Sequence, residues 1–176
     1  MQRHQLEHII RAASGITGAA EFVIVGSQAI LGQFANAPAE LLTSIEADVF
    51  SLQSVADSDL IDGSIGEGSP FHMTFGYYAH GIGPDTAILP NGWRERLIPI
   101  RNENTGGGIG LCLEVHDLAV SKLVAGREKD LAYVASLLRY RLAESTIIQA
   151  RLECTVLSEQ TRKLCEARLQ RLLASE

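Results

Sequence analysis

The sequence predicts an α+β fold, a small mixed sheet flanked by helices and followed by a helical C-terminal third. Three observations carry this. Up to residue 115, short β-branched or aromatic runs bounded by glycine, proline and serine alternate with helical spacing. From His116 onward the pattern is almost entirely helical. The chain of 176 residues, 46% hydrophobic and 20% charged, is long and apolar enough for one compact core or a core with a helical appendage. We therefore place a core at residues 1–115 and a helical part packed on it at 116–176.

Taken in order, Leu6, Ile9, Ile10 and Ala13 stand at helical spacing, which predicts a helix over 5–14 with Gly15 as its stop. Phe22 to Val25 is a four-residue apolar run, closed by Gly26-Ser27 and followed by a helical pattern over 28–34. The segment 47–52 reads as the next strand, and Asp57 as the N-cap of a helix through Leu60 and Ile61. Residues 63–69 read as a loop. The aromatic, β-favouring stretch 71–78 predicts a strand, with further strands over 86–89, 96–101 and 109–115. Turns at Pro84, Pro90-Asn91-Gly92 and 105–108 separate them. Four helices follow over 117–125, 129–140, 144–154 and 159–174, broken at Gly126, Arg141 and Ser158. In the last, Leu164 and Leu172, with Leu157 before it, suggest an apolar seam, with Arg162, Arg168 and Arg171 outside.

Composition excludes several classes. A mean hydropathy of +0.09 with scattered charge argues against disorder. No apolar run approaches the roughly 18 residues that a membrane span requires. Residues 1–21 carry Arg3, His4, Glu7 and His8 in place of a secretory apolar segment, so a cytoplasmic location without membrane contact is expected. Cys112, Cys154 and Cys165 form no CxxC pair and read as three reduced thiols. The net charge of −6 is uneven: residues 1–92 hold ten acidic and two basic side chains, residues 93–176 eleven and thirteen. An acidic half suits a divalent cation, and a more basic half suits phosphates or simply solvates its helices.

The sharpest constellation is Gly26-Ser27 at a strand-to-helix turn, followed by Glu46-x-Asp48 at the start of the next strand. Residues two apart on a strand share a face. Two carboxylates so placed repel each other, and Mg²⁺ relieves this while keeping sites for phosphate oxygens and water. The glycine turn adds backbone N–H groups for a triphosphate. A Glu-x-Asp pair alone is equally the mark of a solvated strand edge. His72 and His80 flank the aromatic strand at even spacing and could share a face, where packing or a hydrogen-bonded core histidine is a plainer reading than a metal pair. The glycines of 105–110 lack the Lys-Ser/Thr of a phosphate loop, and Trp93 reads either as a base-stacking ring or as an anchor of the sheet edge.

The segments 25–31, VGSQAIL, and 44–50, SIEADVF, together resemble the DNA polymerase β-type nucleotidyltransferases. The segment 113–130, LEVHDLAVSKLVAGREKD, is similar to a second signature of AbiEii-like bacterial nucleotidyltransferases, in which a helix lysine, an arginine and an aspartate follow the catalytic sheet. The resemblance spans about residues 20–140. It implies a nucleotidyltransferase-like core that moves a nucleoside monophosphate from an NTP to an acceptor, with Mg²⁺ as cofactor and pyrophosphate leaving. Glu46 and Asp48 are then the metal ligands and catalytic acids. Gly26 and Ser27 contact phosphates, Lys122 and Arg127 neutralise them, and Asp130 orients Lys122, Arg127 or the acceptor.

The resemblance further implies a bacterial toxin–antitoxin or phage-defence toxin, with an antitoxin partner and tRNA or protein as acceptor. If RNA is the acceptor, Arg127, Lys129, Arg139 and Arg141 are expected to face it. Two features depart from the pattern. The first carboxylate is Glu46 where Asp is commoner, and no third carboxylate is evident, since the stretch before Asp85 offers Tyr77, Tyr78 and His80 instead. The alternatives are therefore a catalytically weak or inactive nucleotide-binding domain acting through protein contacts, or a structural role for the C-terminal helices.

Overall fold

The computed structural model describes residues 1–174. Five strands form one mixed sheet in the order β3-β2-β1-β5-β4: β1 (Glu21–Val25), β2 (Glu46–Ser51), β3 (Tyr78–Gly81), β4 (Ile98–Ile100) and β5 (Ile109–Cys112). β1 pairs antiparallel with β2 and parallel with β5, while β3 runs parallel to β2 and β4 antiparallel to β5. Among the described residues, seven α-helices and short 3-10 turns complete the fold: α1 (Arg3–Thr17), α2 (Asp57–Ile65), α3 (Pro70–Phe75), α4 (Val115–Ala125), α5 (Glu128–Arg139), α6 (Ser145–Glu153) and α7 (Glu159–Leu173). The α+β class and the helical C-terminal region are as the sequence predicts.

The pairing register sorts the side chains by face. Opposed residues share a face and successive ones alternate. Ile24, Val49, Ala79 and Cys112 thus point to one side, where Ile10 of α1 lies under Gly110 and the backbone of α2 lies against Gly81. Val25, Glu46, Asp48, Tyr78 and His80 point to the other. The apolar core runs without interruption from Phe22 and Ile24 through Leu118 and Val134 to Ile148 and Leu169, so the C-terminal helices share the core of the sheet. The first turn of α4 is fixed by a two-pronged pair: Arg96 Nε and Nη2 donate to the buried Asp117 carboxylate at 2.8 and 3.0 Å.

Several expectations are corrected. The stretch 71–78 is not one strand: α3 occupies Pro70–Phe75 and only β3 follows. Capping overrides aromatic β propensity here, because Ser69 Oγ accepts from His72 N–H, Pro70 takes the first turn, and Gly76 closes the helix in the left-handed conformation. No strand forms over 86–89; a single 3-10 turn at Pro84–Thr86 stands there, in a segment where Pro84 and Pro90 lack donors. Residues after Gly26 form a 3-10 turn, Ser27–Gly32, and not an α-helix over 28–34.

Helix α1 passes through Gly15, around which there is open space, and ends at Gly18. Asp57 is the first residue of α2 and not its cap. On α7 the buried line is Cys165 and Leu169, with Leu164 exposed. Arg168 turns inward, donating to the carbonyls of Leu123 and Val124, and Arg162 donates to those of Leu152 and Thr155.

Candidate active site

The C-terminal end of β1, the N-terminal half of β2, the C-terminal end of β3, and helices α4 and α5 line a cleft of ≈ 1070 Å³. Gly26, Ser27, Glu46, Asp48, Lys122, Arg127 and Asp130 all line it, as does His80. Every residue singled out in the sequence for this chemistry therefore meets in one place.

On the strand wall, antiparallel pairing sets Asp48 opposite Val25, immediately before the Gly26 turn. Gly26 is demanded twice. Its φ of 67° and ψ of −169° belong to a region essentially reserved for glycine, and a Cβ there would lie 2.0 Å from Asp48 Oδ2. Parallel pairing of β2 with β3 sets Tyr78 beside Glu46 and His80 beside Asp48. The Tyr78 hydroxyl donates to Glu46 Oε2 at 2.9 Å, and His80 Nδ1 stands 3.3 Å from both Glu46 Oε1 and Asp48 Oδ1.

The three side chains Glu46, Asp48 and His80 offer ligand atoms within 4.8 Å of one another. His80 is the functional candidate that the sequence reading passed over. Its pairing with His72 does not occur, because His72 lies on α3 and accepts from the Gly68 N–H. The usable signal was the even spacing of Tyr78 and His80 on the strand beside Glu46 and Asp48.

Burial and the neighbouring Glu46 charge push the Asp48 carboxyl up to about 6. Burial also lifts Glu46, but hydrogen bonds from Tyr78 and Asp48 and the nearby His80 ring outweigh it and hold Glu46 below the ordinary value. Burial opposes protonation of His80, and the Asp48 and Glu46 carboxylates overcome it, leaving the imidazole above its usual pKa. Ionising both acids at once is therefore disfavoured on this wall, and a bound cation would relieve it. An oxygen-rich pair with an adjacent imidazole is a donor set suited to a divalent metal.

The helix wall is organised around Asp130, which is 1% exposed. Gly126 ends α4 at φ 65°, and this left-handed turn brings the start of α5 back over α4. Asp130 consequently accepts from Lys122 Nζ at 3.2 Å although the two are eight residues apart, and from Arg127 Nε at 2.6 Å. Lys122 also lies over the Tyr133 ring at 4.6 Å. Burial lowers the Lys122 pKa, which Asp130 partly restores. Burial raises Asp130, and the hydrogen bond from Arg127 and the Lys122 charge more than reverse this. The Tyr133 hydroxyl donates to the Ser27 carbonyl at 2.7 Å, tying α5 to the glycine turn. Of the four basic residues expected to face RNA, Arg127 is engaged by Asp130 and Arg139 pairs with Glu40, while Lys129 lines the cleft.

A family model described as "Nucleotidyltransferase of unknown function (DUF6036)" matches residues 4–166. No curated protein and no solved structure matches the chain. Among the described residues, no helix is long and apolar enough to cross a membrane.

Proposed function

The chain belongs to that family of nucleotidyltransferases, and from this premise we propose that it transfers a nucleoside monophosphate from an NTP to an acceptor within the cleft. The observation that carries the reading is the meeting of the Glu46/Asp48 pair, the Gly26-Ser27 turn and Lys122 around one cavity. A divalent cation, Mg²⁺ in the simplest form, held by Glu46 and Asp48, supplies charge neutralisation and Lewis-acid polarisation at the α-phosphorus. The chain's own groups do the positioning. Ser27 and the Gly26 backbone receive the β,γ-phosphates, and Lys122 faces them as a point cation whose ammonium is held by Asp130 and the Tyr133 ring. Arg127 contributes guanidinium N–H groups at the rim, while Asp130 acts as a positioning residue. In this reading residues 1–115 supply the metal ligands and residues 116–176 the cations.

The test is incubation with each labelled NTP, a divalent cation and total RNA or protein, with pyrophosphate release followed in parallel. We expect one acceptor class to become labelled and Asp48→Asn to abolish labelling while the fold persists. The reading extends to tRNA as acceptor and to a toxin held in check by an antitoxin partner, as the AbiEii-like resemblance suggests. Growth arrest on induced expression, relieved by Asp48→Asn, supports that extension. A second reading, nucleotide binding without transfer, is favoured by His80 standing where a third carboxylate is otherwise expected. NTP binding without pyrophosphate release in the presence of every acceptor fraction selects it.

A further inference from the structure

We propose that His80 is the third metal ligand of this cleft and that it biases the site towards Mn²⁺ and its first-row neighbours over Mg²⁺. The inference rests on the metal-assisted reading above and deepens it. His80 Nδ1 lies 3.3 Å from Glu46 Oε1 and 3.3 Å from Asp48 Oδ1. Donors this close together can converge on one divalent ion, whose bonds to oxygen and nitrogen are about 2.0–2.2 Å long. The arrangement is built into the backbone. The β2–β3 register sets His80 beside Asp48, and Tyr78 occupies Glu46 Oε2, so the oxygen nearer His80 is Oε1.

Strand β3 is itself pinned. Gly81 N–H donates to Asp62 Oδ1 at 2.7 Å, Ser58 Oγ donates to the Ile82 carbonyl at 2.6 Å, and a Cβ at Gly81 would lie 2.1 Å from the Ser58 carbonyl oxygen. The imidazole is half exposed and lines the cleft, so an arriving ion reaches it without rearrangement of the core.

The choice of metal follows from donor chemistry. Mg²⁺ demands hard oxygen ligands and keeps much of its water, whereas affinity for a site with an imidazole nitrogen rises along the first-row divalent ions, with Mn²⁺ at the weak end of that series. Placing a neutral ring where a third carboxylate would stand removes one negative charge from the site. That loss falls hardest on Mg²⁺, which has nothing to gain from the nitrogen.

The test uses the full-length protein with Mn²⁺, alone and with pyrophosphate, which carries no nitrogen of its own. Pulsed electron paramagnetic resonance reads nitrogen coupling to bound Mn²⁺, and calorimetry gives the Kd of Mn²⁺ and Mg²⁺. We expect nitrogen modulation in the wild type that disappears in His80→Gln and His80→Asp. Loss of outer groups around metal sites already costs about 10–100-fold in affinity, so His80→Gln is expected to weaken Mn²⁺ by about tenfold or more. His80→Asp should retain metal binding while lowering the Mn²⁺-over-Mg²⁺ ratio.

If Mn²⁺ binds and Asp48→Asn abolishes binding, yet the nitrogen signal or the metal preference is unchanged by substitution at position 80, the role of His80 is overturned and the nucleotidyl-transfer reading stands. If neither ion binds the wild type with or without pyrophosphate, the metal-assisted reading of the cleft falls with it.

Discussion

The two walls of the cleft handle charge in opposite ways. On the helix wall one buried carboxylate, Asp130, meets two cations, Lys122 and Arg127, so its electrostatics are satisfied by the chain itself. On the strand wall two carboxylates, Glu46 and Asp48, share one side of a sheet with a single imidazole between them, and Asp48 answers by holding its proton up to about 6. One wall is internally neutralised and serves stability. The other is left short of positive charge and gains when an ion arrives. Removing a carboxylate charge should therefore destabilise the first and, in the metal-free protein, relieve the second.

The largest effect is expected at Asp130. Replacing it with alanine leaves Lys122, 9% exposed, without its carboxylate. Removing one partner of a buried pair costs about 3–5 kcal/mol, which lowers Tm by roughly 10 °C for a chain of this size. The carboxyl is held below its ordinary value, so its stabilising contribution is present above the unfolded pKa of about 3.9 and is lost as pH falls through the lower folded value. Thermal melts from about pH 5 downward should show the wild type converging on Asp130→Ala. A constant Tm difference across that range would break the contrast between the walls.

Next in size is Gly26→Ala. The added Cβ falls on Asp48 Oδ2 and the backbone conformation suits glycine alone, so a loss of about 1–3 kcal/mol is expected. Metal binding should weaken as well, although no ligand is removed, because Asp48 must move. Calorimetry with Mn²⁺ beside a denaturant melt separates the two effects.

How far the sequence carried this picture varies with the kind of signal. Glu46, Asp48, Gly26, Ser27, Lys122, Arg127 and Asp130 were legible because short spacing and two quoted segments marked them, and the cleft brings them together. His80 was not, since its partners are 34 and 32 residues away and the parallel β2–β3 pairing that joins them is not written in any local pattern. A strand expected over 71–78 also stops short of His80, whereas the strand that forms is β3, Tyr78–Gly81, which contains it. The Ser69, Pro70 and Gly76 capping signals were present but were outvoted by aromatic content. On α7, Arg162 and Arg168 were read as solvated because arginines usually are, whereas here they satisfy free carbonyls around the ends of α4 and α6.

A smaller effect of the opposite sign is expected from Asp48→Asn in the metal-free protein. Because the folded carboxyl titrates at about 6 and the ordinary value is 3.8, the folded state binds more protons than the unfolded state between them. Stability attributable to this group therefore falls as pH rises through that window. His80, raised above its usual value, contributes stability that is likewise lost with rising pH, beginning above about 6.5. Asp48→Asn should raise Tm by roughly 2–4 °C near neutral pH, on the order of 1 kcal/mol, and by less near pH 4. Saturating Mn²⁺ should reverse the ranking, since only the wild type gains. A variant that melts below the metal-free wild type at neutral pH would show that the strand wall is not short of a cation.

The finest distinction within the strand wall is made by Glu46→Asp. The shorter arm keeps the charge but withdraws the carboxylate from the Tyr78 hydroxyl, at a cost of about 0.5–1.5 kcal/mol for one hydrogen bond. Tyr78, whose own pKa is pushed up to about 12 by burial and by Glu46, then loses its acceptor and the phenol should titrate closer to 10. Metal affinity should fall less than in Asp48→Asn, because the site keeps both negative charges and only one arm is displaced. Ultraviolet titration of the tyrosines together with Mn²⁺ calorimetry reads both consequences. An unmoved tyrosine titration with full loss of Mn²⁺ would mean that Glu46 acts through reach alone. A shifted titration with binding intact would mean that Tyr78 serves to restrain Glu46 and that Asp48 carries most of the affinity.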